Sequence, residues 1–274
     1  MRRIALFSDI HANLPALQAV LADIESSDVA ERYCLGDLVG YGPEPEAVID
    51  LLRETGIPTI QGNYDEGIGN RRGECGCYYA TDQARSDGAA SYDFTSAAVD
   101  DEHAAWLAAL PGEVRFDEAG VRILLTHGSP RKINEYLLPD RTEAQLARLA
   151  AQAEADVVCV GHIHIPYHRA FSGQPVTDAG SSSTVLPAVH YVSSGSAGKP
   201  KDGDPRACWV ELVAGDEAAV RAAAPTDAAA GPAGMTDTWI GLIVHRVEYD
   251  IEAVASAMLD AGLPPTLAEA LRRG

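Results

Sequence analysis

Positive charge is scarce in this 274-residue sequence: 21 Lys and Arg stand against 40 Asp and Glu, a formal net charge of −19. Without clustered basic side chains to neutralise phosphates, a nucleic-acid polymer or an anionic membrane surface is excluded as a partner. Long apolar runs are missing too. The run Ile4-Ala5-Leu6-Phe7 meets Ser8 and Asp9 at once, too early for the core of a secretion signal, and no other stretch reaches membrane-span length. Cysteines are few and odd in number, at positions 34, 75, 77, 159 and 208, so no disulfide framework is expected. These absences together point to a reduced, cytoplasmic protein. Cys75-Gly76-Cys77 supplies at most half of a tetrahedral zinc shell, and no second pair follows to complete it.

What is present is an alternation of short aliphatic runs with amphipathic stretches, the pattern of parallel strands joined by helices. Strands are expected over 3–7, 29–35, 57–60, 121–125 and 157–160, and helices over 14–24, 43–55, 97–110 and 142–153. Asn13 is placed to cap the first helix, whose first turn tolerates Pro15. Residues 71–90 are polar and rich in Gly and Tyr, and read as an insertion over the strand ends. Tyr78 and Tyr79 within it, and Tyr92 just beyond it, suit packing on the domain, or stacking on a base. Beyond Gly161 the runs shorten and alternate at 167–171, 190–193 and 207–213, which suits a more antiparallel second sheet. A strand over 238–247 and helices over 251–261 and 267–271 complete the reading. One α/β domain over 1–274 is expected, with a cap insertion at 67–95. Residues 214–236, dominated by Ala, Gly, Pro and Asp, read as a flexible excursion between hairpin strands.

Five polar blocks each close a predicted strand: Asp9-Ile10-His11, Gly36-Asp37, Gly62-Asn63-Tyr64-Asp65, His127-Gly128 and Gly161-His162-Ile163-His164. The carboxyl ends of strands in open α/β sheets are where loops converge and ligands bind. On extended backbone, Asp-x-His and His-x-His place two side chains on one side, where a pair can share one metal. Imidazole, carboxylate and amide oxygen without thiolate call for hard or borderline divalent cations.

These blocks, in this order, resemble the signature of the calcineurin-like metallophosphoesterases, and the resemblance spans nearly the whole chain. Ser8-Asp9-Ile10-His11-Ala12-Asn13 and 36–43 are most similar to the small bacterial and archaeal phosphodiesterases and phosphatases, as is the segment Asp202-Gly203-Asp204-Pro205-Arg206. The resemblance implies a four-layer α-β-β-α sandwich and two divalent metal ions (Mn, Fe, Zn or Ni). One would be held by Asp9, His11 and His164 and the other by Asn63, His127 and His162, with Asp37 bridging. It implies hydrolysis of a small phosphate-ester substrate, a monoester or diester, by a hydroxide shared between the metals, with Asp37, Asn63 and His127 at the reacting centre. A catalytically silent protein-binding scaffold of the same fold is the alternative, and would be expected to have eroded ligands.

One position departs from the family pattern. Tyr64 stands where the fuller motif has a histidine that protonates the leaving group, and a phenol is a far weaker acid near neutral pH. Tyr64, Asn13 and Arg131 are candidates for contact with substrate. Asp65 is expected to fix its loop by hydrogen bonds to backbone, and His103, His168, His190 and His245 to be structural.

Overall fold

The computed structural model describes residues 1–118, 120–171, 175–176, 184–185, 189–230 and 237–274. Its strands are β1 (Arg2–Phe7), β2 (Glu31–Cys34), β3 (Glu113–Glu118), β4 (Val121–Thr126), β5 (Val157–Val160), β6 (Pro166–Phe171), β7 (Pro175–Val176), β8 (Thr184–Val185), β9 (Val189–Ser194), β10 (Ala207–Gly215), β11 (Ala228–Ala230) and β12 (Trp239–Val247). Its helices are α1 (Leu14–Glu25), α2 (Pro45–Thr55), α3 (Asn63–Gly69), α4 (Asp82–Ala98), α5 (Asp101–Ala109), α6 (Glu143–Gln152), α7 (Glu217–Ala223), α8 (Ile251–Asp260) and α9 (Pro265–Arg273). None of the described helices is long and apolar enough to cross a membrane.

The strands form two five-stranded sheets, ordered β11-β12-β10-β1-β2 and β3-β4-β5-β9-β6, with β7 and β8 paired as a separate ribbon. β1 and β2 are parallel, as are β4, β5 and β9, while the flanking strands run antiparallel. Side chains alternate across a strand with a period of two, and β1 uses both faces. Ile4 and Leu6 meet Val210, Leu212, Ile123 and Leu125 between the sheets. Ala5 and Phe7 point outward, into a core with Leu17, Val48 and Trp209 under the helices. On the opposite face, Leu124 and Val158 pack against Leu146 and Leu149 of α6. The result is the expected α-β-β-α sandwich, with the carboxyl ends of β1, β2, β4 and β5 gathered at one end.

The differences from the sequence reading have local causes. Residues 57–60 make a single parallel bridge, Thr59 to Cys34, rather than a full strand. β3 escaped notice because Glu113, Arg115, Asp117 and Glu118 dominate its sequence, yet Val114 and Phe116 alternate onto the inter-sheet core. The helix expected over 97–110 is two helices: α4 ends before Val99, and Asp100 starts α5 by accepting a hydrogen bond from the His103 N–H at 2.8 Å. α4 occupies much of what reads as an insertion. Its buried face is Asp87, Gly88, Ser91, Tyr92 and Thr95, small and polar enough to leave no apolar period. Within 214–236, β10 and β12 do flank the segment as antiparallel neighbours, and α7 and β11 lie between them. Val220 of α7 packs on Val213 and Ala224, and β11 pairs with β12; residues 231–236 lie outside the described residues.

Candidate metal centre

All five blocks arrive at the same end of the sandwich, but not on extended backbone. Asp9, His11, Asp37, His162 and His164 have φ of 52°, 50°, 56°, 66° and 61°, the left-handed region. Each such non-glycine residue costs on the order of 1–3 kcal/mol, which the surrounding packing must impose. The extended backbone expected at Asp-x-His and His-x-His is thereby corrected. Asp9 and His11 do share a cluster, through a left-handed turn, but His162 and His164 separate into two clusters. Close approach of the loops is made possible at Gly36 and Gly62, which lie back to back. A Cβ on Gly36 would sit 2.4 Å from the Gly62 nitrogen, and one on Gly62 would sit 2.1 Å from the Asp37 nitrogen.

The two clusters are Asp9, His11 and His164, and Asp37, His127 and His162, each buried with donor atoms within 4.8 Å of one another. Backbone carbonyls decide the tautomers. The Nδ1 of His11 lies 3.0 Å from the Val39 oxygen, that of His127 lies 2.7 Å from the Leu35 oxygen, and that of His164 lies 2.5 Å from the Lys199 oxygen. A carbonyl only accepts, so each Nδ1 carries the proton and each Nε2 of a neutral ring presents a lone pair inward. The Nε2 atoms of His11 and His164 then face each other at 3.1 Å. That of His127 faces Asn63 Oδ1 at 3.2 Å and Asp37 Oδ2 at 3.3 Å. Among the described residues, Asp9 Oδ1 and His162 Nε2 have no hydrogen-bond partner. With all four imidazoles neutral, as ligands must be, acceptors converge here with no donor between them, and borderline divalent cations fit that donor set.

The carboxylates are oriented by the protein. Asp9 Oδ2 accepts from the Ser8 hydroxyl and from the His162 N–H at 3.0 Å, which turns Oδ1 toward His164 Nε2, 3.3 Å away. Asp37 Oδ1 accepts the Tyr64 N–H at 2.8 Å, leaving Oδ2 between the clusters, 3.3 Å from His127 Nε2 and 3.8 Å from His11 Nε2. Asp65 accepts the N–H groups of Asp37, Leu38 and Gly62, so it ties the second and third blocks together through backbone, as expected. Asn63 is aimed by residues the sequence left without a role. Its amide donates to the Cys75 oxygen at 2.9 Å and the Cys77 sulfur at 3.2 Å, so its oxygen must face His127.

Electrostatics agree with a missing positive charge. Burial, then the neighbouring His164, holds the His11 pKa down to about 3. Burial and His127 hold His162 at about 4, and burial drives His164 well below its ordinary value. Burial acts against the charge of His127 as well, but Asp37 beside it outweighs burial and lifts the pKa to about 9. Burial opposes ionisation of Asp37, yet His127 and His11 keep its pKa below the usual carboxylate range. Asp9 is raised, by burial first and by Asp37 in addition.

The three expected substrate contacts are each tied to neighbouring protein groups. Asn13 is engaged on every side: its oxygen caps α1 at the Ala16 N–H, 3.1 Å away, and its amide reaches the Gly198 oxygen and the Tyr249 hydroxyl. Tyr64 is 1% exposed, its ring edge-on to His11 at 5.4 Å, so the ring reaches the centre through that imidazole while the N–H holds Asp37. Arg131 is exposed and held by a two-point pair with Glu135. His103 pairs with Asp50 and Asp100, His168 with Asp227 and His190, and His245 with Glu211, all outside the two clusters. Sequence reasoning missed Tyr136, whose ring lies 4.1 Å from that of His162, and Lys199, whose Nζ sits 4.5 Å over Tyr41. Burial and the charge of Lys201 push the Lys199 pKa down to about 7. The available signal was that only three lysines occur in the chain and two stand at 199 and 201.

The sandwich and its paired clusters define a metallophosphoesterase architecture. Residues 2–215 match the calcineurin-like phosphoesterase superfamily domain, and the chain belongs to that superfamily. An uncharacterized protein of Methanocaldococcus jannaschii, MJ0912, is 29% identical over 273 residues, covering 99% of this chain and 98% of its own length. The crystal structure of a metallophosphoesterase from Sphaerobacter thermophilus is 28% identical with a TM-score of 0.64, covering 99% of this chain and 98% of that one. A hypothetical protein of Pyrococcus horikoshii, PH1004, shares the fold at 21% identity and a TM-score of 0.71, over 100% of this chain and 99% of that one.

Proposed function

We propose that this chain is a metal-dependent hydrolase of small phosphate monoesters or diesters. The observation that carries the reading is the set of carbonyl-locked imidazoles whose lone pairs converge, with Asp9 Oδ1 and His162 Nε2 unpartnered. Asp9, His11 and His164 would hold one divalent cation, and Asn63, His127 and His162 the other. Asp37 presents Oδ2 to both clusters, which supports a bridging role. When bound, two such cations supply Lewis acidity toward phosphoryl oxygens and a water acidified toward neutrality.

The chain's own groups do the positioning. The carbonyls of Leu35, Val39 and Lys199 hold the imidazoles in their binding tautomers, and Ser8 and Asp65 orient the carboxylates and their loops. With Tyr64 inside the core, no phenol from that block reaches a leaving oxygen, which favours esters whose leaving group needs little protonation. Residues 67–95 act as a cap in this reading, because Cys75 and Cys77 grip Asn63 while Gly76 accepts from Asn134 at 2.7 Å. The whole chain is taken as one domain, with 214–236 an excursion between β10 and β12. Left-handed backbone at Asp9, His11, Asp37, His162 and His164, and carbonyl-locked imidazoles at His11, His127 and His164, support this reading over a silent protein-binding scaffold of the same fold.

The test is metal analysis of protein purified without chelator, paired with p-nitrophenyl phosphate hydrolysis in Mn²⁺ by wild type and Asp37→Asn. Wild type should carry transition metal and turn over. Because even partners of metal ligands are worth about 10–100-fold, the variant should lose about 10²-fold or more in kcat/KM. A metal-free wild type that hydrolyses no aryl phosphate in Mn²⁺, Fe²⁺, Zn²⁺ or Ni²⁺ would overturn the proposal.

A further inference from the structure

A cavity of about 370 Å³ opens between residues 77–87, the Tyr136 loop, the Lys199–Lys201 turn and α9. Its inner wall is the outer side of the metal centre. Tyr136 covers His162 at 4.1 Å, Tyr41 stands edge-on to His11 at 4.9 Å, Cys77 holds Asn63, and the Lys199 carbonyl accepts from His164. The cavity therefore adjoins the clusters, one layer of side chains away. At roughly 300–1,000 Å³, ligand pockets accommodate an organic group well beyond a phosphoryl.

The wall has two chemical characters. One is aromatic. Tyr92 of the same segment is 5% exposed and packed into the domain, but Tyr78 is 78% exposed at the cavity, the most exposed aromatic ring among the described residues with large apolar side chains. An open ring beside the half-buried Tyr136 is a stacking platform for another planar ring. The second character is cationic. In a chain of net charge −19, Lys199, Lys201 and Arg273 all border this one cavity. Among the described residues, neither lysine has a carboxylate within ion-pair distance. Asp87 also borders the space, but its two oxygens accept from Gln83 at 2.8 Å and Thr266 at 2.7 Å. Among the described residues the two amino groups have no carboxylate partner, and they stand next to a centre that binds phosphate in the reading above.

We infer that this cavity selects the substrate, and that it takes a phosphate ester whose alcohol carries a planar aromatic ring and a second anionic group. The inference rests on the phosphate-ester reading of the adjoining centre. Tyr78 and Tyr136 receive the ring, and Lys199 and Lys201 the second anion.

Calorimetric titration of the full-length protein in EDTA, where no turnover occurs, tests the cavity apart from the reaction. Adenosine 5′-diphosphate is the probe, since it carries a ring and two phosphates, and ribose 5-phosphate, which lacks the ring and the second phosphate, is the control. The diphosphate should bind about tenfold tighter or better, as one stacked base is worth that much. Tyr78→Ala and Lys201→Ala, both at exposed positions, should each weaken it about five- to tenfold while changing ribose 5-phosphate by less than about twofold. Equal affinity for the two ligands, no binding of the diphosphate, or unchanged affinity in both variants would overturn the inference. A parallel p-nitrophenyl phosphate assay separates the two claims. Hydrolysis without selective binding defeats the cavity alone, and selective binding without hydrolysis in any of the four metals defeats the reaction and leaves the cavity standing.

Discussion

Replacing a metal ligand usually weakens a protein, but Asp9→Asn should stabilise this one when metal is withheld. Asp9 Oδ2 already accepts from Ser8 and from the His162 N–H, whereas Oδ1 is buried, without a donor, and 3.3 Å from the Nε2 lone pair of His164. An asparagine that keeps its oxygen at the Oδ2 position places an amide N–H in front of that lone pair. Removing a buried unsatisfied acceptor is worth about 1–3 kcal/mol and a new neutral hydrogen bond about 0.5–1.5 kcal/mol, so a net gain on the order of 2 kcal/mol is expected. For a chain of this size each kcal/mol moves Tm by about 2–4 °C, which predicts a rise of about 4–8 °C in EDTA. The sign with pH also follows. Burial raises the Asp9 pKa above its ordinary 3.8, so over that window the native state holds a proton that the unfolded chain has released. Wild-type stability in EDTA therefore falls as pH rises through the window, and the advantage of asparagine should be small near about pH 4 and grow toward neutrality. In excess Mn²⁺ the order should reverse, because only wild type gains ligand-linked stability. Thermal melts by circular dichroism in EDTA and in Mn²⁺ measure all three. An Asp9→Asn protein that melts at or below wild type in EDTA at neutral pH would refute the argument that acceptors converge there without a donor.

Other consequences are separable. Cys77→Val removes one of two acceptors that aim the Asn63 oxygen, and should weaken Mn²⁺ binding about 10-fold in a chelator competition without changing the fold seen by circular dichroism. Gly36→Ala adds a Cβ 2.4 Å from the Gly62 nitrogen at a φ of +89°, and should cost about 2–4 kcal/mol in urea denaturation and lower metal content. His103 is opposed by burial, but Asp50 and Asp100 raise its pKa, so its contribution is present below about pH 6.5 and lost as pH rises through the folded value. His103→Gln should accordingly destabilise by about 0.5 kcal/mol near pH 5.5 and by less near pH 8.5.

The fold was legible wherever one periodicity dominated. β1, β4 and β5 alternate or run continuously apolar, and α1 announces itself through Asn13, Pro15 and an apolar stripe. It was illegible where tertiary contact replaces pattern. α4 buries Gly88 and Ser91 in place of large aliphatic residues, and β3 is an edge strand whose charges hide Val114 and Phe116. The same division runs through the centre. Tyr64 is visible in sequence as a departure, but only packing shows that its ring lies in the core and not in the cleft. Cys75 and Cys77 have no readable role until Asn63 is seen donating to both.

By itself the sequence determined which side chains gather: five blocks of Asp, Asn and His follow apolar runs, and strand ends in such sheets converge whatever the loops between them do. Tertiary structure alone decided the backbone and hydrogen-bond geometry in which they meet. His162 and His164 are two residues apart yet lie in different clusters, His164 beside Asp9 and His11 and His162 beside Asp37 and His127. Each cluster also draws ligands from both sheets, and loops separated by more than a hundred residues meet only once the inter-sheet core has set the distance between them.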